Sequence, residues 1–413
     1  MKRTNIAIQK FKDAPIQIID GDRGKNYPID SELLDEGYCL FLNTGNVTET
    51  GFNFNNCQFI SFDKDQILRK GKLKRNDLVM TTRGTVGNVG YYNNKVPFEN
   101  IRINSGMVIF RVVQEEITPS FLYQYLRSTY FNKQVNALRT GAAQPQLPIR
   151  DIKCIKIQIP LTAEQEKIAD ILSAYDDLID TNRRRIQLLE ESARLLFREW
   201  FVYFRFPRLR QGFGGQAGHE KVKIVDGAPE GWRKRRLVEV ADIAMGQSPK
   251  SEYYNDNGDG LPFHQGVTGF GNRYPTNQTY CTQKNRMAQA GDILFSVRAP
   301  VGRINISTEK IIIGRGISAI RSKENHQSYL FYELKNHFFK EDMIGGGAIF
   351  AAITKKDLEN VVITYPDEKT IEQFENITNP IDRQIEILSI QNQKLAQARD
   401  LLLPRLMSGA IEV

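Results

Sequence analysis

Residues 162–200 read TAEQEKIADILSAYDDLIDTNRRRIQLLEESARLLFREW, and the organisation of the whole chain follows from them. Its apolar residues recur in two columns with a period of seven, which is typical of a coiled-coil helix. The columns are Ile168, Tyr175, Asn182, Leu189 and Leu196, and Leu172, Ile179, Ile186, Ala193 and Trp200. No proline or glycine interrupts them, so the stretch predicts one helix of about 40 residues, roughly 60 Å long. A capping box between Thr162 and Gln165 is expected at its start.

The two columns form a narrow apolar seam along one side of the helix. This seam can be buried only against a second helix of similar length, and the C-terminal part of the chain contains a candidate. Its heptad column consists of Phe374, Ile381, Leu388, Leu395 and Leu402, flanked by Ile377, Ile385, Asn392 and Leu406. We therefore predict that residues 161–205 and 367–413 form two helices that pair. Asn182 is the one polar residue in the first seam. It either sets the register of the pair at some cost in stability or is a tolerated imperfection.

The segments that precede the two helices repeat each other at an offset of about 206 to 215 residues. Residues 76–89 match residues 291–304, and Arg83 and Arg298 are identical within this match. Residues 106–111 match residues 316–321 in the same way. Short β-rich runs between glycine, asparagine and proline turns, followed by one or two helices, predict an α+β fold for each copy.

This repeat predicts the domain organisation. We expect a first module at residues 1–160, a long helix at 161–205, a flexible linker at 206–230, a second module at 231–366 and a long helix at 367–413. The linker is assigned from four glycines near its start and from its basic residues. These glycines are Gly212, Gly214, Gly215 and Gly218.

The composition is that of an ordinary globular protein with room for two or three domains, since 41% of its 413 residues are hydrophobic and 25% are charged. The sequence contains no apolar run near the ~18 residues of a membrane helix and no signal-peptide core, so we expect a cytoplasmic protein. Cys39, Cys57, Cys154 and Cys281 lie far apart, which predicts neither disulfides nor a zinc site. A net charge of +8 is compatible with a polyanionic partner.

The sequence contains few candidate catalytic motifs. Residues 212–217 fit a dinucleotide-binding pattern, but they follow a helix instead of a strand. The sequence lacks a phosphate-binding loop and the Asp/Asn-Pro-Pro-aromatic motif of amino-methyltransferases. Asp357, Asp367 and Lys369 could imitate a nuclease site, although the first module has no equivalent acids. We predict no metal, no cofactor and no catalytic residue in this chain.

Several loops are instead rich in the side chains that contact DNA, because arginine and lysine suit guanine and phosphate while asparagine and glutamine suit adenine. The candidate DNA-binding residues are Arg23, Lys25, Asn26, Tyr27, Arg83, Asn88, Lys250, Ser251, Tyr253, Tyr254, His264, Gln265, Arg298 and Arg303. Each loop taken alone also fits a plain polar turn. For Arg83 and Arg298, a phosphate contact and an internal salt bridge are equally open.

In combination these motifs resemble the DNA-sequence specificity subunits of type I restriction-modification systems. The resemblance rests on residues 20–28, 82–88, 141–148, 195–204, 246–255, 263–268, 296–302 and 399–409. It implies two target-recognition domains related by a pseudo-twofold repeat, and two conserved helices packed antiparallel. It also implies a non-catalytic subunit that binds two methyltransferase subunits, which carry S-adenosylmethionine, and that is joined by nuclease-translocase subunits.

We therefore predict a DNA-binding subunit in which each module recognises one half of a split target. The helix pair would set a gap of roughly one turn of DNA, ~34 Å, between the halves. Two alternatives belong to other classes. A stand-alone nuclease or methyltransferase would need a catalytic site, and a coiled-coil scaffold without DNA contact would leave the polar loops without a role.

Overall fold

The computed structural model describes residues 8–141, 145–207, 223–225, 227–338, 352–407, 410–411 and 413. The chain forms two compact units, here called unit 1 (residues 1–181 and 391–413) and unit 2 (residues 182–390). Each unit contains one of the two repeated segments together with one end of each long helix.

Unit 1 combines short strands with helices that pack on them. Its strands are β1 (Ile8–Lys10), β2 (Ile16–Asp20), β3 (Cys39–Leu42), β4 (Val47–Thr48), β5 (Gly51–Phe52), β6 (Phe59–Ile60), β7 (Leu78–Thr81), β8 (Val89–Tyr91), β9 (Ile101–Ile103), β10 (Met107–Val112) and β11 (Lys156–Gln158). Its helices are α1 (Phe62–Ile67), α2 (Pro119–Leu126), α3 (Thr129–Leu138), α4 (Ile149–Ile152) and the start of α5 (Thr162–Phe197).

Unit 2 is likewise built from short strands and helices. Its strands are β12 (Ile224–Val225), β13 (Ala228–Pro229), β14 (Arg233–Arg236), β15 (Ala241–Met245), β16 (Tyr254–Asn255), β17 (Leu261–His264), β18 (Tyr280–Cys281), β19 (Met287–Ala288), β20 (Ile293–Ser296), β21 (Ile304–Ile306), β22 (Ile311–Ile313), β23 (Ile317–Ser322) and β24 (Val362–Tyr365). Its helices are α6 (Leu237–Val240), α7 (Gln327–Phe338), α8 (Lys355–Glu359) and the start of α9 (Glu368–Met407).

The predicted repeat is visible in the sheet topology. Unit 1 has an antiparallel four-stranded sheet in the order β2-β10-β7-β8, and unit 2 has one in the order β15-β23-β20-β21. A second sheet contains one parallel pair in each unit, β3 with β9 and β17 with β22. In both units the strand before the long helix pairs antiparallel with an early strand, β11 with β1 and β24 with β14. The predicted α+β class is thereby confirmed for both copies.

The two long helices are also confirmed, and the contacts within each unit show that they run antiparallel. In unit 1, Ile168 and Leu172 near the start of α5 share one core with Leu403 and Leu406 at the end of α9. In unit 2, Phe197 at the end of α5 shares a core with residues at the start of α9, and its ring lies 6.0 Å from that of Phe374. The α-helical part of α5 ends at Phe197, and the last predicted turn is a π-helix at Arg198–Val202.

The seam residues lie inside the pair. Those that are buried are Ile168, Leu172, Ile179, Asn182, Ala193, Trp200, Phe374 and Leu388, and those that are half-buried are Tyr175, Ile186, Leu189, Leu196, Ile381, Leu395 and Leu402. Ile377, predicted to flank the second seam, is instead 44% exposed, and the buried position beside it belongs to Thr378. The helix continues through Pro380, whose side chain is exposed.

The capping box predicted at the start of α5 is wrong. Gln165 is fully buried, and its side-chain oxygen accepts a hydrogen bond from the backbone N–H of Thr118 at 2.8 Å. Its side-chain nitrogen donates to the carbonyl oxygens of Glu116 and Pro160 at 2.7 and 2.8 Å. Gln165 therefore joins the helix start to the loop before α2 instead of capping the first turn.

Ion pairs join each repeated segment to the long helices. In unit 1, Asp176 on α5 accepts hydrogen bonds from Arg127 at 2.6 Å, from Gln124 on α2 at 3.0 Å and from Arg399 on α9 at 2.6 Å. In unit 2, Arg273 is buried and donates to Asp382 on α9 at 2.5 Å. Burying a charge away from water is costly unless an opposite charge lies beside it. Each ion pair therefore stabilises the contact between the segment and the helices only while all of its partners are present.

Part of the predicted linker is folded. Phe206 is buried, and its ring stacks on Trp232 with centroids 5.2 Å apart. Strands β12 and β13 pair with each other within residues 224–229. The four glycines of the linker lie outside the described residues, so its flexibility and the exact domain boundaries stay predictions.

Candidate nucleic-acid interface

Three turns of unit 1 meet at one edge of the four-stranded sheet. They are residues 21–23 after β2, residues 82–83 after β7 and residues 104–106 before β10, and β10 lies between the other two strands. The N–H of Thr82 donates to the carbonyl of Gly106 at 2.8 Å, and a guanidinium nitrogen of Arg23 donates to the carbonyl of Ser105 at 3.2 Å. We call these residues the first turn cluster.

The equivalent turns meet in unit 2. They are residues 246–248 after β15, residues 297–298 after β20 and residues 314–316 before β23, and Gln265 after β17 joins them. The N–H of Val297 donates to the carbonyl of Gly316 at 2.9 Å, and the N–H of Gly316 donates to the carbonyl of Gln265 at 3.1 Å. We call these residues the second turn cluster.

Both clusters hold their second turn by the same backbone contact. Arg83 forms an isolated bridge with Gln146, and Arg298 forms one with Ala352, so each arginine pairs with a later segment of its own module. The arginine side chains are exposed in both cases. Within the described part of the chain neither guanidinium has an ion-pair or hydrogen-bond partner, so no salt bridge to a described residue uses up its charge.

The first turn cluster borders a cleft of about 480 Å³ with a basic lining. Its cations are Arg23, Lys25, Arg69 and Lys70, against the two acids Asp20 and Asp22. Asp20 pairs with Arg23 at 3.1 Å. Burial raises the pKa of Asp22, but hydrogen bonds from the backbone N–H groups of Arg69 and Gly24 outweigh it, and the net pKa is lowered. Asp22 therefore stays charged and fixes the turn, while Lys25, Arg69 and Lys70 supply an excess of positive charge.

Three of the predicted DNA-binding residues use their side chains within the fold. The ring of Tyr27 packs edge-on against Phe41 with centroids 5.7 Å apart. The amide nitrogen of Asn88 donates to the carbonyl of Val47 at 3.0 Å. The hydroxyl of Tyr254 donates to the carbonyl of Pro249 at 2.8 Å. These contacts give the three side chains a structural role, and the sequence alone does not distinguish such a role from exposure at the surface.

His264 requires a correction, because it is not presented at the surface. It is only 4% exposed, and its Nε2 lies 2.9 Å from the side-chain oxygen of Asn277. Burial lowers the pKa of this histidine, so a neutral ring is favoured. The physical reason is that β17 is an interior strand between β18 and β22, whereas Gln265 follows its end and is exposed.

The remaining predicted residues are accessible to solvent, but they lie in different parts of the two units. Asn26 is half-buried in the lining of the basic cleft. Lys250, Ser251 and Tyr253 are exposed on the turn that continues from the second turn cluster, and Lys250 lies 3.8 Å from Glu252. Arg303 is exposed before β21.

Sequence reasoning missed Arg315, which is exposed between the buried residues Gly314 and Gly316. The repeat contained a signal for it, since the match of Gly106 to Gly316 places Ser105 opposite Arg315. A serine and an arginine share no chemical pattern, so this alignment alone does not mark Arg315 as a functional residue.

The acids considered for a nuclease site are occupied as helix caps. Asp357 accepts hydrogen bonds from the backbone N–H and the hydroxyl of Thr354 at the start of α8. Asp367 accepts two from Thr370 at the start of α9. Across the described ranges, no group of three or more histidine, cysteine, aspartate or glutamate residues could hold a metal ion. No helix among the described residues is both long and apolar enough to cross a membrane.

Two copies of an α+β module that gather basic and amide side chains at a sheet edge, joined to a pair of long helices, are the features of a DNA-recognition protein. Residues 17–191 and 229–397 match the family described as type I restriction modification DNA specificity domain. The chain therefore belongs to the family of type I restriction-modification specificity subunits, which are non-catalytic and recognise DNA.

Individual relatives agree with this family. The chain is 33% identical over 339 residues to a putative type I restriction enzyme MjaX specificity subunit of Methanocaldococcus jannaschii, covering 79% of this chain and 76% of the relative. It is 24% identical over 436 residues to the type I restriction enzyme HindI specificity subunit of Haemophilus influenzae, covering 90% and 94%. The crystal structure of a type I restriction-modification S subunit from M. genitalium has the same fold, with a TM-score of 0.56, 16% identity and coverage of 98% and 97%.

Proposed function

We propose that each module recognises one half of a split DNA target, the first module with the first turn cluster and the second module with the second. The observation that supports this proposal is the duplication of the cluster itself. Both copies expose an arginine at the same sheet edge, while most of the surrounding side chains differ. Two copies of one scaffold with different side chains are suited to two half-sites of different sequence.

Within each cluster, Arg83 and Arg298 are assigned to DNA phosphates. Both are exposed and free of carboxylate partners among the described residues, and both sit at the same repeat position. A contact that is the same in both modules suits the part of DNA that is the same at every base pair, which is the sugar-phosphate backbone. Lys25 and Lys70 at the basic cleft would add to the same attraction.

The partners follow from the family and from the shared helices. We propose that the chain recruits two methyltransferase subunits, which would supply S-adenosylmethionine, and that nuclease-translocase subunits join this core. The chain would contribute sequence recognition, and the helix pair would set the gap between the half-sites. This division of labour requires no catalytic group in the specificity subunit.

The proposal is tested by separating the two halves. The full chain, with its methyltransferase subunits, is used to select bound duplexes from a random DNA library. Replacing Arg23, Lys25 and Asn26 by alanine should relax base preference in one half of the selected target only. Replacing Gln265 and Lys250 should relax the other half only. If either set alters both halves equally, the clusters form one composite surface and the modular assignment is wrong.

A matched variant tests the phosphate contact. Arg298→Ala should weaken binding to all duplexes by a similar factor and reduce the slope of log affinity against log salt by about one unit. A loss confined to one base pair would instead show that Arg298 reads sequence. A wild-type protein that selects no sequence at all would favour the scaffold alternative.

A further inference from the structure

Arg315 is the exposed residue of a tightly built turn in the second turn cluster. Gly314 and Gly316 on either side are buried, and the backbone N–H of Arg315 donates to the hydroxyl of Ser248 at 3.2 Å. Among the residues with described positions, none forms an ion pair or a hydrogen bond with the Arg315 guanidinium. Its donors are therefore available to a ligand.

The turn that carries Arg315 has little freedom to move. A Cβ atom on Gly314 would lie 2.8 Å from the Cα of Gln265, and one on Gly316 would lie 2.6 Å from the carbonyl oxygen of Gln265. A Cβ atom on Gly246 would lie 2.1 Å from the carbonyl oxygen of Gly314. Only glycine allows such close backbone contact. The backbone of Arg315 is therefore held in place by the packed segments at Gly246, Gln265 and 314–316.

The first turn cluster contains the same close approach of a glycine to a backbone carbonyl, but its arginine lies on the other of the two turns in contact. A Cβ atom on Gly21 would lie 2.3 Å from the carbonyl oxygen of Asn104, as one on Gly246 would approach Gly314. This correspondence places Arg23 opposite Ser248 and Ser105 opposite Arg315. In unit 1 the guanidinium of Arg23 donates to the carbonyl oxygen of Ser105, whereas in unit 2 the hydroxyl of Ser248 accepts from the backbone N–H of Arg315. Each cluster thus supplies one guanidinium at this point, from opposite turns.

This difference separates Arg315 from Arg298. Arg298 has an identical counterpart in Arg83, which suits contact with the uniform phosphate backbone. Arg315 has a serine as its counterpart, and residues that differ between the modules are the ones that can give two half-sites different sequences. An exposed guanidinium on this fixed turn can also donate the fork of two hydrogen bonds that arginine makes to O6 and N7 of guanine in the major groove.

We propose that Arg315 is a specificity-determining residue that recognises a guanine in the half-site of the second module. The neighbouring Gln265 supports this assignment, because its side-chain oxygen accepts a hydrogen bond from Ser248 at 2.8 Å. Its amide N–H groups have no hydrogen-bond partner among the described residues, which leaves them available for an adjacent base. Ser248 is a positioning residue, since it holds both the Arg315 turn and Gln265. The assignment rests on the proposed function, in which this cluster faces DNA.

The test uses the full chain with its methyltransferase subunits and a random duplex library. Wild type, Arg315→Ala, Arg315→Lys and Arg233→Ala are compared. Arg233 is an exposed arginine on β14 in the same unit and outside the cluster, so its variant has the same change of net charge. Affinities are then measured for the selected duplex and for its single-base-pair variants, and for an unrelated duplex.

Arg315→Ala should reduce the preference for one guanine by about ten- to a hundredfold in one half-site and leave the other half-site unchanged. Arg315→Lys should lose the same preference while retaining affinity for the unrelated duplex, because lysine keeps the charge but not the fork. Arg233→Ala should select the wild-type target.

Other results would overturn the assignment. An unchanged target with Arg315→Ala would show that the residue does not read a base, and an equal loss on all duplexes would make it a phosphate contact. A wild-type protein that selects no target would refute the proposed function itself, and the assignment with it. A wild type that selects a target which Arg315→Ala leaves intact refutes only the role of Arg315.

Discussion

Asp176 offers a test of how unit 1 holds its repeated segment on the long helices. Its carboxylate accepts from Arg127 and Arg399 at 2.6 Å each and from Gln124 at 3.0 Å. Asp176 and the two arginine side chains are only 15–18% exposed. Asp176→Ala removes the shared partner and leaves two arginines partly buried without it. We predict that the substitution destabilises unit 1 strongly.

The size of the effect follows from burial. Breaking a buried ion pair by removing one partner costs about 3–5 kcal/mol, because the remaining charge is not compensated. Asp177 provides a matched control, since it pairs with Lys95 at 2.7 Å but these side chains are 64% and 77% exposed. An exposed ion pair contributes about 0–1 kcal/mol, so Asp177→Ala should change stability little. The costs of replacing these two adjacent aspartates, whose ion pairs are of similar length, should thus differ by about 2–5 kcal/mol.

Native-state hydrogen exchange of the full chain would measure both variants, with peptides from α2 and from residues 391–407 reporting on unit 1. Denaturant unfolding followed by circular dichroism gives the free energy. Both tryptophans, Trp200 and Trp232, lie in unit 2, so their fluorescence reports on that unit alone. The double variant Asp176→Ala/Arg127→Ala should recover part of the loss, because Arg127 has no other ion-pair partner among the described residues, whereas Arg399 also pairs with Asp400 at 2.8 Å. Equal costs for Asp176→Ala and Asp177→Ala would refute the argument.

Three further predictions concern the helices and the core of unit 2. Burial raises the pKa of Glu333 to about 7, so its cost to the folded state grows as pH rises from about 4.5 and is complete above 7. Glu333→Gln should therefore stabilise unit 2 by about 3 kcal/mol at pH 8 and by nothing near pH 4, measured by urea unfolding; a gain independent of pH would contradict this. Asn182→Leu should stabilise the helix pair by about 1–3 kcal/mol, because the amide nitrogen is buried without a hydrogen-bond partner among the described residues; a less stable variant would favour a role in setting register. Adding seven residues between Ile179 and Ala193 lengthens the helix by about 10 Å and should widen the spacer of the methylated target by about three base pairs; changed half-sites with an unchanged spacer, seen by methylation sequencing, would count against this role of the helices.

The long helices could be predicted from sequence because a heptad pattern is a local property. The failures arose where a side chain is used by a distant segment. Gln165 suits a capping box by spacing, but its amide bonds to the loop before α2. His264 and Gln265 look alike as polar residues in a turn, and only the place of β17 inside a sheet separates the buried residue from the exposed one.

The candidate interface could be predicted only in part for a related reason. The duplicated arginines Arg83 and Arg298 were found because the repeat preserves them. Arg315 was missed because the repeat does not preserve it, and the contact that relates it to Arg23 is made by backbone atoms of Gly314 and Asn104. Base-reading positions that differ between copies leave no repeated sequence pattern, so they have to be found from geometry.

The division of the long helices between the units has a consequence for synthesis on the ribosome. Unit 2 is one continuous segment, residues 182–390, and can complete its core as soon as that segment has emerged. Unit 1 is made first but lacks residues 391–413, whose Leu403, Leu406 and Met407 belong to the same core as Ile168 and Leu172. The first module must therefore wait with an uncovered apolar surface while more than 200 residues are translated. Chaperone binding to nascent chains should accordingly be strongest after residue 181 and end only when the end of α9 is available.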